Sequence, residues 1–247
     1  MQVVFQSDIG KTRKNNQDFA GQFDNQAGLR LVVVCDGMGG HKAGDVASEM
    51  AVSHLGHAWE ETNYATAEEV TQWMLKQITL ENERIVGKST QFSDLDGMGT
   101  TLVAAVLFEE ELVIANIGDS RGYLYSNKKL VQLTEDHSLV NELLKSGEIT
   151  SEAAANHPRK NVLTRSLGVS SEFDIDITIF SILKDDILLL CSDGLTNMVE
   201  DSAISEILSQ DISIEEKVNA LVSLANEKGG ADNITVLLAD FAAREES

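Results

Sequence analysis

Two aspartates stand where apolar runs of the chain end, and a glycine follows each of them. The run 31–35 leads to Asp36, and the run 187–192 leads to Asp193. Short apolar runs that a glycine interrupts predict buried strands. A carboxylate at the mouth of such a strand is partly desolvated, so a partner must compensate its charge. The two positions therefore predict carboxylates that converge on a cation.

Three more aspartates stand beside Gly, Asn or Ser at the ends of predicted strands: Asp18, Asp119 and Asp232. No cluster of Cys and His accompanies them in the sequence. Hard oxygen ligands without soft donors favour Mg²⁺ or Mn²⁺ over zinc. Any one of these aspartates has an alternative interpretation as a turn or helix-cap residue. It is the set of five that indicates a metal site.

The composition indicates a strongly acidic chain with a substantial core. Its 247 residues, 43% of them hydrophobic, are enough for one large domain or two small ones. Lys and Arg total 19 against 40 Asp and Glu, which gives a formal charge of -21. Such a surface should repel nucleic acid and anionic lipid, and it favours cations and basic protein segments. For most of these charges, a solvated acidic surface is an equally good interpretation.

The cysteines and the hydropathy pattern predict a soluble, cytoplasmic protein. Cys35 and Cys191 both lie in predicted buried strands, so a disulfide framework is not expected and a reducing compartment fits. The first residues do not follow the pattern of a signal peptide. No apolar stretch approaches the ~20 residues that span a bilayer, so membrane insertion is not expected.

Hydrophobic periodicity predicts blocks of strands and blocks of helices. The predicted strands are 2–7, 17–23, 29–35, 100–108, 111–117, 121–126, 129–132, 173–181, 186–192 and 233–240. The predicted helices are 43–58, 66–86, 201–209 and 214–227, and capping boxes begin the second (Thr66 with Glu69) and the fourth (Ser213 with Glu216). The four consecutive strands between 100 and 132 predict an antiparallel meander. Because strands and helices do not alternate, the pattern favours an α+β fold with antiparallel sheets in one domain, 1–247.

The segment 134–166 differs from the rest of the chain. It is predicted to be helical but polar, and it contains Pro158 followed by the basic pair Arg159 and Lys160. These features predict a mobile flap on the surface. Arg159, Lys160 and Arg165 could contact acidic groups of a substrate, and ordinary surface charge is the alternative interpretation for each.

Seven short motifs together resemble one known family. In chain order they are SDIGKTRKNNQD (7–18), VCDGMGGH (34–41), GMGTT (97–101), NIGDSR (116–121), DHSLV (136–140), CSDGL (191–195) and GADNIT (230–235). The chain resembles the bacterial branch of the metal-dependent protein phosphatases, the PPM or protein phosphatase 2C-like family. The resemblance implies a four-layer α-β-β-α sandwich, with two central antiparallel β-sheets flanked by helices and a small flap subdomain at about 134–166.

The resemblance also implies roles for individual acids. Asp36 is expected to bridge two Mg²⁺ or Mn²⁺ ions, with the carbonyl of Gly37 on one of them. Asp193 and Asp232 are expected to be ligands of the other ion. Asp18 resembles the carboxylate that holds metal-bound water.

Further roles concern a third ion, the substrate and the leaving group. Asp119 and Asp193 resemble the third-metal site of bacterial members, and Arg13 matches the arginine that clamps the substrate phosphate. Animal members carry Asp-Gly-His, with His as the proposed general acid, but here that position is Met38. His41 is a candidate for the proton donor, a metal-bound water is another, and a turn residue is the alternative interpretation of His41.

The implied activity is hydrolysis of phosphoserine and phosphothreonine in proteins by direct attack of a metal-bridging hydroxide, without a covalent phosphoenzyme. The implied partners are phosphorylated proteins, including a bacterial Ser/Thr kinase that the enzyme opposes, and the expected state is a monomer that binds no nucleic acid. Two alternatives remain at this point. One is a catalytically inactive phosphatase-like binding module, and the other is a metal-dependent hydrolase of nucleotides or sugar phosphates.

Overall fold

The chain folds into two antiparallel β-sheets with helices on their outer faces, seen in a computed structural model that describes residues 1–39, 43–155, 157–170 and 174–242. The strands are β1 (Gln2–Asp8), β2 (Asp18–Asp24), β3 (Arg30–Met38), β4 (Gly99–Thr100), β5 (Leu102–Leu107), β6 (Glu111–Ile117), β7 (Arg121–Ser126), β8 (Lys129–Gln132), β9 (Asp176–Ser181), β10 (Ile187–Cys191) and β11 (Ile234–Asp240). The helices are α1 (Ala43–Glu60), α2 (Ala67–Gln91), α3 (Leu139–Lys145), α4 (Ser151–Ala155), α5 (Asp193–Thr196), α6 (Asp201–Leu208) and α7 (Ile214–Glu227).

One sheet has the strand order β1-β11-β10-β7-β8, and the other has the order β2-β3-β5-β6-β9 with β4 paired to the end of β3. Three separate apolar clusters fill the spaces between the layers. One lies between the second sheet and α1 and α2, one lies between the first sheet and α5, α6 and α7, and one lies between the two sheets. This arrangement confirms the predicted α-β-β-α sandwich.

Strand β3 shows why the predicted apolar run forms a central strand. Leu31 and Val33 pack towards the helices, whereas Val32 and Val34 pack between the sheets. Because both faces are buried, the run is continuously apolar rather than alternating. The same alternation places the side chain of Asp36 on the face between the sheets, at the end of the strand.

The predicted meander is wrong between β6 and β7. β6 pairs with β5 and β9 in one sheet, and β7 pairs with β8 and β10 in the other. Gly118, with φ 101, lies at the crossing, and a Cβ there would lie 2.6 Å from the Thr101 methyl. Local hydropathy predicts each strand, but it carries no information about which sheet a strand joins.

Several boundaries differ from the prediction. α2 continues to Gln91, five residues beyond the predicted end at 86. The strand predicted over 173–181 is described from Asp176 onward, and the short helix α5 begins at Asp193, where the sequence predicted only a strand end. Both predicted capping boxes are confirmed. Both cysteines are buried and free, as predicted.

Two isolated bridges hold the base of the segment predicted as a flap. Ser138 pairs with Leu163, and Thr100 pairs with Leu167. The segment between Ser138 and Leu163 carries α3 and α4, so part of the predicted helical character is confirmed. Its mobility stays a prediction, as does the boundary of a single domain over 1–247. No helix among the described residues is long and apolar enough to cross a membrane.

Candidate metal and phosphate site

The predicted acidic residues lie at one end of the sandwich, where strands of both sheets stop. Asp18 on β2 is directly opposite Asp36 on β3 in the antiparallel register. Ser192, which follows β10, donates its hydroxyl to Asp18 Oδ2 at 2.7 Å. The backbone N–H of Thr235 on β11 donates to the Ser192 hydroxyl at 3.0 Å. Hydrogen bonds therefore connect strands of both sheets at this end.

The backbone around Asp36 is fixed by its neighbours. The carbonyl of Asp36 accepts from the Thr101 N–H and from the Thr100 hydroxyl, both at 2.9 Å. The Asp36 N–H donates to the Thr101 hydroxyl at 3.0 Å. A Cβ on Gly37 would lie 2.1 Å from the carbonyl oxygen of Gly44 on α1, so only glycine permits this approach of strand and helix.

Burial and mutual repulsion raise the pKa of the inner acids. Burial, followed by the negative charges of Asp18 and Asp193, raises the pKa of the Asp36 carboxyl well above its ordinary value. Burial also raises the pKa of Asp18 to about 7, although hydrogen bonds from Ser192 and Thr235 oppose this rise. Such carboxylates are costly to ionise together unless a cation compensates them.

The outer acids follow the same pattern. Burial, then the charges of Asp193 and Asp136, raises the pKa of Asp119 to about 7. Burial, then the charge of Asp232, raises the pKa of Asp193, and the charge of Arg13 opposes that rise. The five predicted acids therefore lie close enough to act on one another electrostatically.

Two buried carboxylate oxygens of the cluster are suited to bind a hard cation. Asp18 Oδ1 and Asp193 Oδ1 are buried and have no hydrogen-bond partner among the described residues. An unpartnered buried oxygen is unfavourable unless another group satisfies it. No group of three or more His, Cys, Asp or Glu side chains in the described part of the chain is already arranged to hold an ion. The ligand set therefore stays a prediction, which these two oxygens support.

Arg13 lies at the open edge of the acidic cluster. Its Nη2 donates to Asp232 Oδ2 at 2.6 Å, with half of the Arg13 side chain exposed. The Thr12 hydroxyl donates to the Ala231 carbonyl at 2.6 Å, and the Lys11 N–H donates to the Gly230 carbonyl at 2.8 Å. The loop that carries Arg13 is thus docked against the loop that carries Asp232.

Asn233 connects these two loops, a role that was not predicted from the sequence. Its amide nitrogen donates to the carbonyls of Ile9 at 2.9 Å and Asn15 at 3.0 Å. Its amide oxygen accepts the Gln17 N–H at 2.8 Å. Ser192 and Thr101 were missed in the same way. Ser192 and Asn233 stand next to predicted acids in the motifs, and that adjacency was the one available signal for them, whereas the motif that contains Thr101 holds none of the five acids.

Asp119 borders a cavity of about 340 Å³. Asp193 lines it from the sandwich, and Asp136, Leu144 and Lys160 line it from the predicted flap. Beside it, Arg121 makes a bidentate ion pair with Asp136, at 2.8 Å from Nε and 2.6 Å from Nη2, and Tyr123 accepts from Arg121 Nη1 at 2.9 Å. This network holds β7 against the base of the flap.

The remaining predicted residues are placed as follows. His41 lies outside the described residues, so its role stays a prediction. Arg165 donates to Asp176 at 3.3 Å, and Arg159 is exposed. Burial raises the pKa of Cys191 to about 12 and raises the pKa of Cys35 further, which keeps both thiols protonated and unreactive.

Sequence comparison finds one family and close relatives. A family model described as protein phosphatase 2C matches residues 10–238. The serine/threonine phosphatase stp of Listeria monocytogenes serotype 4b (strain F2365) is 52% identical over 241 residues, which is 97% of this chain and 96% of that protein. The protein phosphatase PhpP of Streptococcus pneumoniae is 44% identical over 240 residues, 96% of each chain.

Solved structures agree with this result. The serine/threonine phosphatase of S. agalactiae superposes with a TM-score of 0.93 at 43% identity, covering 96% of this chain and 98% of that one. The catalytic domain of the serine threonine protein phosphatase PstP, solved in complex with 2 manganese ions, superposes with a TM-score of 0.85 at 35% identity, covering 97% of each chain.

Proposed function

The chain belongs to the protein phosphatase 2C family and is a serine/threonine protein phosphatase, and we propose that it hydrolyses its substrates directly at a centre of divalent cations held by the acidic cluster. One observation carries this proposal. The acids at the end of the sandwich repel one another, and two of their buried oxygens have no protein partner among the described residues. Metal dependence is a property of the family, and the manganese complex of PstP supports it.

The proposed ligands are Asp36, the carbonyl of Gly37, Asp193 and Asp232, and Asp18 is the proposed partner of a metal-bound water. Asp119 and Asp193 are the proposed ligands of a third ion. Carboxylate and carbonyl oxygens suit both Mn²⁺ and Mg²⁺. When bound, such cations lower the pKa of a water and offset the charge of phosphoryl oxygens.

Arg13 is the proposed phosphate-binding residue. Half of its side chain is exposed at the edge of the cluster, on the side from which a substrate would approach. A planar guanidinium can donate two parallel hydrogen bonds to two phosphoryl oxygens, and its charge offsets theirs. His41 is the proposed proton donor to the leaving serine or threonine oxygen, because imidazole titrates near neutral pH.

The proposed biological setting is a bacterial cytoplasm, where a monomer acts on phosphoproteins produced by a Ser/Thr kinase. The two buried free cysteines are in keeping with a reducing compartment. The charge of -21 disfavours nucleic acid as a partner. A phosphoproteome that is unchanged when the active protein is removed would contradict this setting.

The activity is tested with a phosphothreonine peptide, p-nitrophenyl phosphate and a nucleotide, each with Mn²⁺ or with EDTA. We expect Mn²⁺-dependent phosphate release from the peptide, abolished by EDTA and by Asp36→Asn. Asp185→Asn is the matched control for Asp36→Asn. Asp185 is an exposed acid before the start of β10, whereas the acidic cluster lies beyond the other end of that strand, where Asp193 follows it. Turnover that needs no divalent cation, or a preference for the nucleotide, would contradict the proposal.

A further inference from the structure

Asp232 differs from the other proposed ligands in how its oxygens are used. Arg13 Nη2 donates to Asp232 Oδ2 at 2.6 Å, and the backbone N–H of Asn233 donates to Asp232 Oδ1 at 2.8 Å. Both oxygens of Asp232 therefore have protein partners. Asp18 and Asp193 each keep one buried oxygen that no described residue satisfies.

The guanidinium of Arg13 compensates the negative charge of the Asp232 carboxylate, at 2.6 Å. A divalent cation bound to the same carboxylate would have this effect too.

The position of Arg13 allows its side chain to leave Asp232. Thr12 and Lys11 attach the loop to the carbonyls of Ala231 and Gly230, so the backbone stays beside the cluster. The Arg13 side chain is 50% exposed, against 28% for that of Asp232. The Arg13 side chain is therefore open to solvent on one side while the loop that carries it is attached through Thr12 and Lys11.

We propose that Arg13 is an internal competitor of the divalent cation at Asp232, and that cation binding displaces the guanidinium to make it available to a phosphoryl group. This inference rests on the proposed metal site. Two cationic groups in contact with one carboxylate oxygen repel each other, so the ion pair and the metal–ligand contact oppose one another. The cation then binds before the phosphoryl group, because Arg13 remains paired with Asp232 until the cation binds to Asp232.

The test is calorimetric titration of Mn²⁺ into the metal-stripped full chain at about 0.15 M salt, where charges farther apart than about 8 Å are largely screened. Removing the competitor with Arg13→Ala is expected to tighten one Mn²⁺ site about two- to fivefold, the range of a partly exposed ion pair. Lys14→Ala removes an exposed positive charge at the next position and is expected to leave the affinity unchanged. Arg13→Lys keeps a cation and is expected to stay close to the wild type.

Three results would overturn the competition: equal affinities in Arg13→Ala and Lys14→Ala, weaker binding in Arg13→Ala, or a tightening in Arg13→Lys as large as that in Arg13→Ala. A wild-type protein that binds no Mn²⁺ would overturn the metal site itself. That outcome separates failure of the proposed function from failure of the competition alone.

Discussion

Asp36 and Asp119 occupy different positions within the acidic cluster. After burial, the pKa of Asp36 is raised by the charges of all four other predicted ligands: Asp18, Asp193, Asp119 and Asp232. After burial, the pKa of Asp119 is raised by the charge of Asp193 and then by the charge of Asp136, which is not one of the predicted ligands. Asp36 is therefore the electrostatic centre of the cluster, and Asp119 lies at its edge beside the cavity.

This difference predicts separable effects of two isosteric substitutions. Asp36→Asn should abolish binding of the core ions and lower turnover more than about a hundredfold, since even residues that merely support a metal ligand are worth 10–100-fold. Asp119→Asn should remove only the weakest of the Mn²⁺ ions, because its carboxylate is peripheral. Calorimetric stoichiometry measures both, and an Asp119→Asn protein that has lost all Mn²⁺ binding would contradict the assignment.

At the scale of elements, two loops and three strand ends position the acids. The loop 9–17 is connected to the start of β11 by the side chain of Asn233. The strand ends are connected by Ser192, between β10, β11 and Asp18 on β2. The spacing of carboxylates therefore depends on hydrogen bonds made by neutral side chains.

Replacing Asn233 by alanine should disturb this arrangement. Asn233→Ala removes three hydrogen bonds from a buried amide, and we expect a loss of about 2–3 kcal/mol in the free energy of unfolding. Turnover should fall as well, because Arg13 and Asp232 lose their shared anchor. Urea denaturation measures the first effect.

The control for this variant is Asn63→Ala, an exposed position between α1 and α2 that should change stability by less than about 0.5 kcal/mol. An Asn233→Ala protein as stable and active as Asn63→Ala would contradict the role of Asn233.

The sequence predicted which segments form strands and helices better than it predicted which strands pair with one another. β3 was predictable because burial on both faces leaves an uninterrupted apolar run. The pairing of Asp18 with Asp36 and the crossing between β6 and β7 were not, because strand pairing depends on the whole sandwich. The acids were predicted from their glycine neighbours and from the family motifs. Ser192, Thr101 and Asn233 were not, since polar residues of these types occur in most turns.

At the scale of the whole molecule, the cluster makes stability depend on pH and metal. The pKa of Asp18 is about 7 in the folded protein against an ordinary 3.8. Between these values the folded protein holds a proton that the unfolded chain has released. Metal-free protein should therefore lose stability as the pH rises from about 4 to about 7, and the loss is complete above that range. Because bound cations compensate ionised carboxylates, the stabilisation by Mn²⁺ should grow over the same range.

Thermal unfolding in EDTA from pH 4.5 to 8 checks this prediction. The expected loss is on the order of a few kcal/mol, because each unit of pKa shift corresponds to about 1.4 kcal/mol. Asp18→Asn mimics the protonated acid and should flatten the pH dependence, which isolates the cluster from other titrating groups. A metal-free wild type whose stability rises between pH 5 and 7, or an Asp18→Asn protein with an unchanged slope, would contradict the account.

We propose that the acids at this end of the sandwich hold the catalytic cations. Anomalous diffraction at the manganese edge, from crystals of the protein grown with Mn²⁺, tests it most directly. We expect two strong peaks in contact with carboxylate oxygens of Asp36, Asp193 and Asp232, with Arg13 turned away from Asp232. Well-ordered crystals with saturating Mn²⁺ and no anomalous peak among these residues would contradict it.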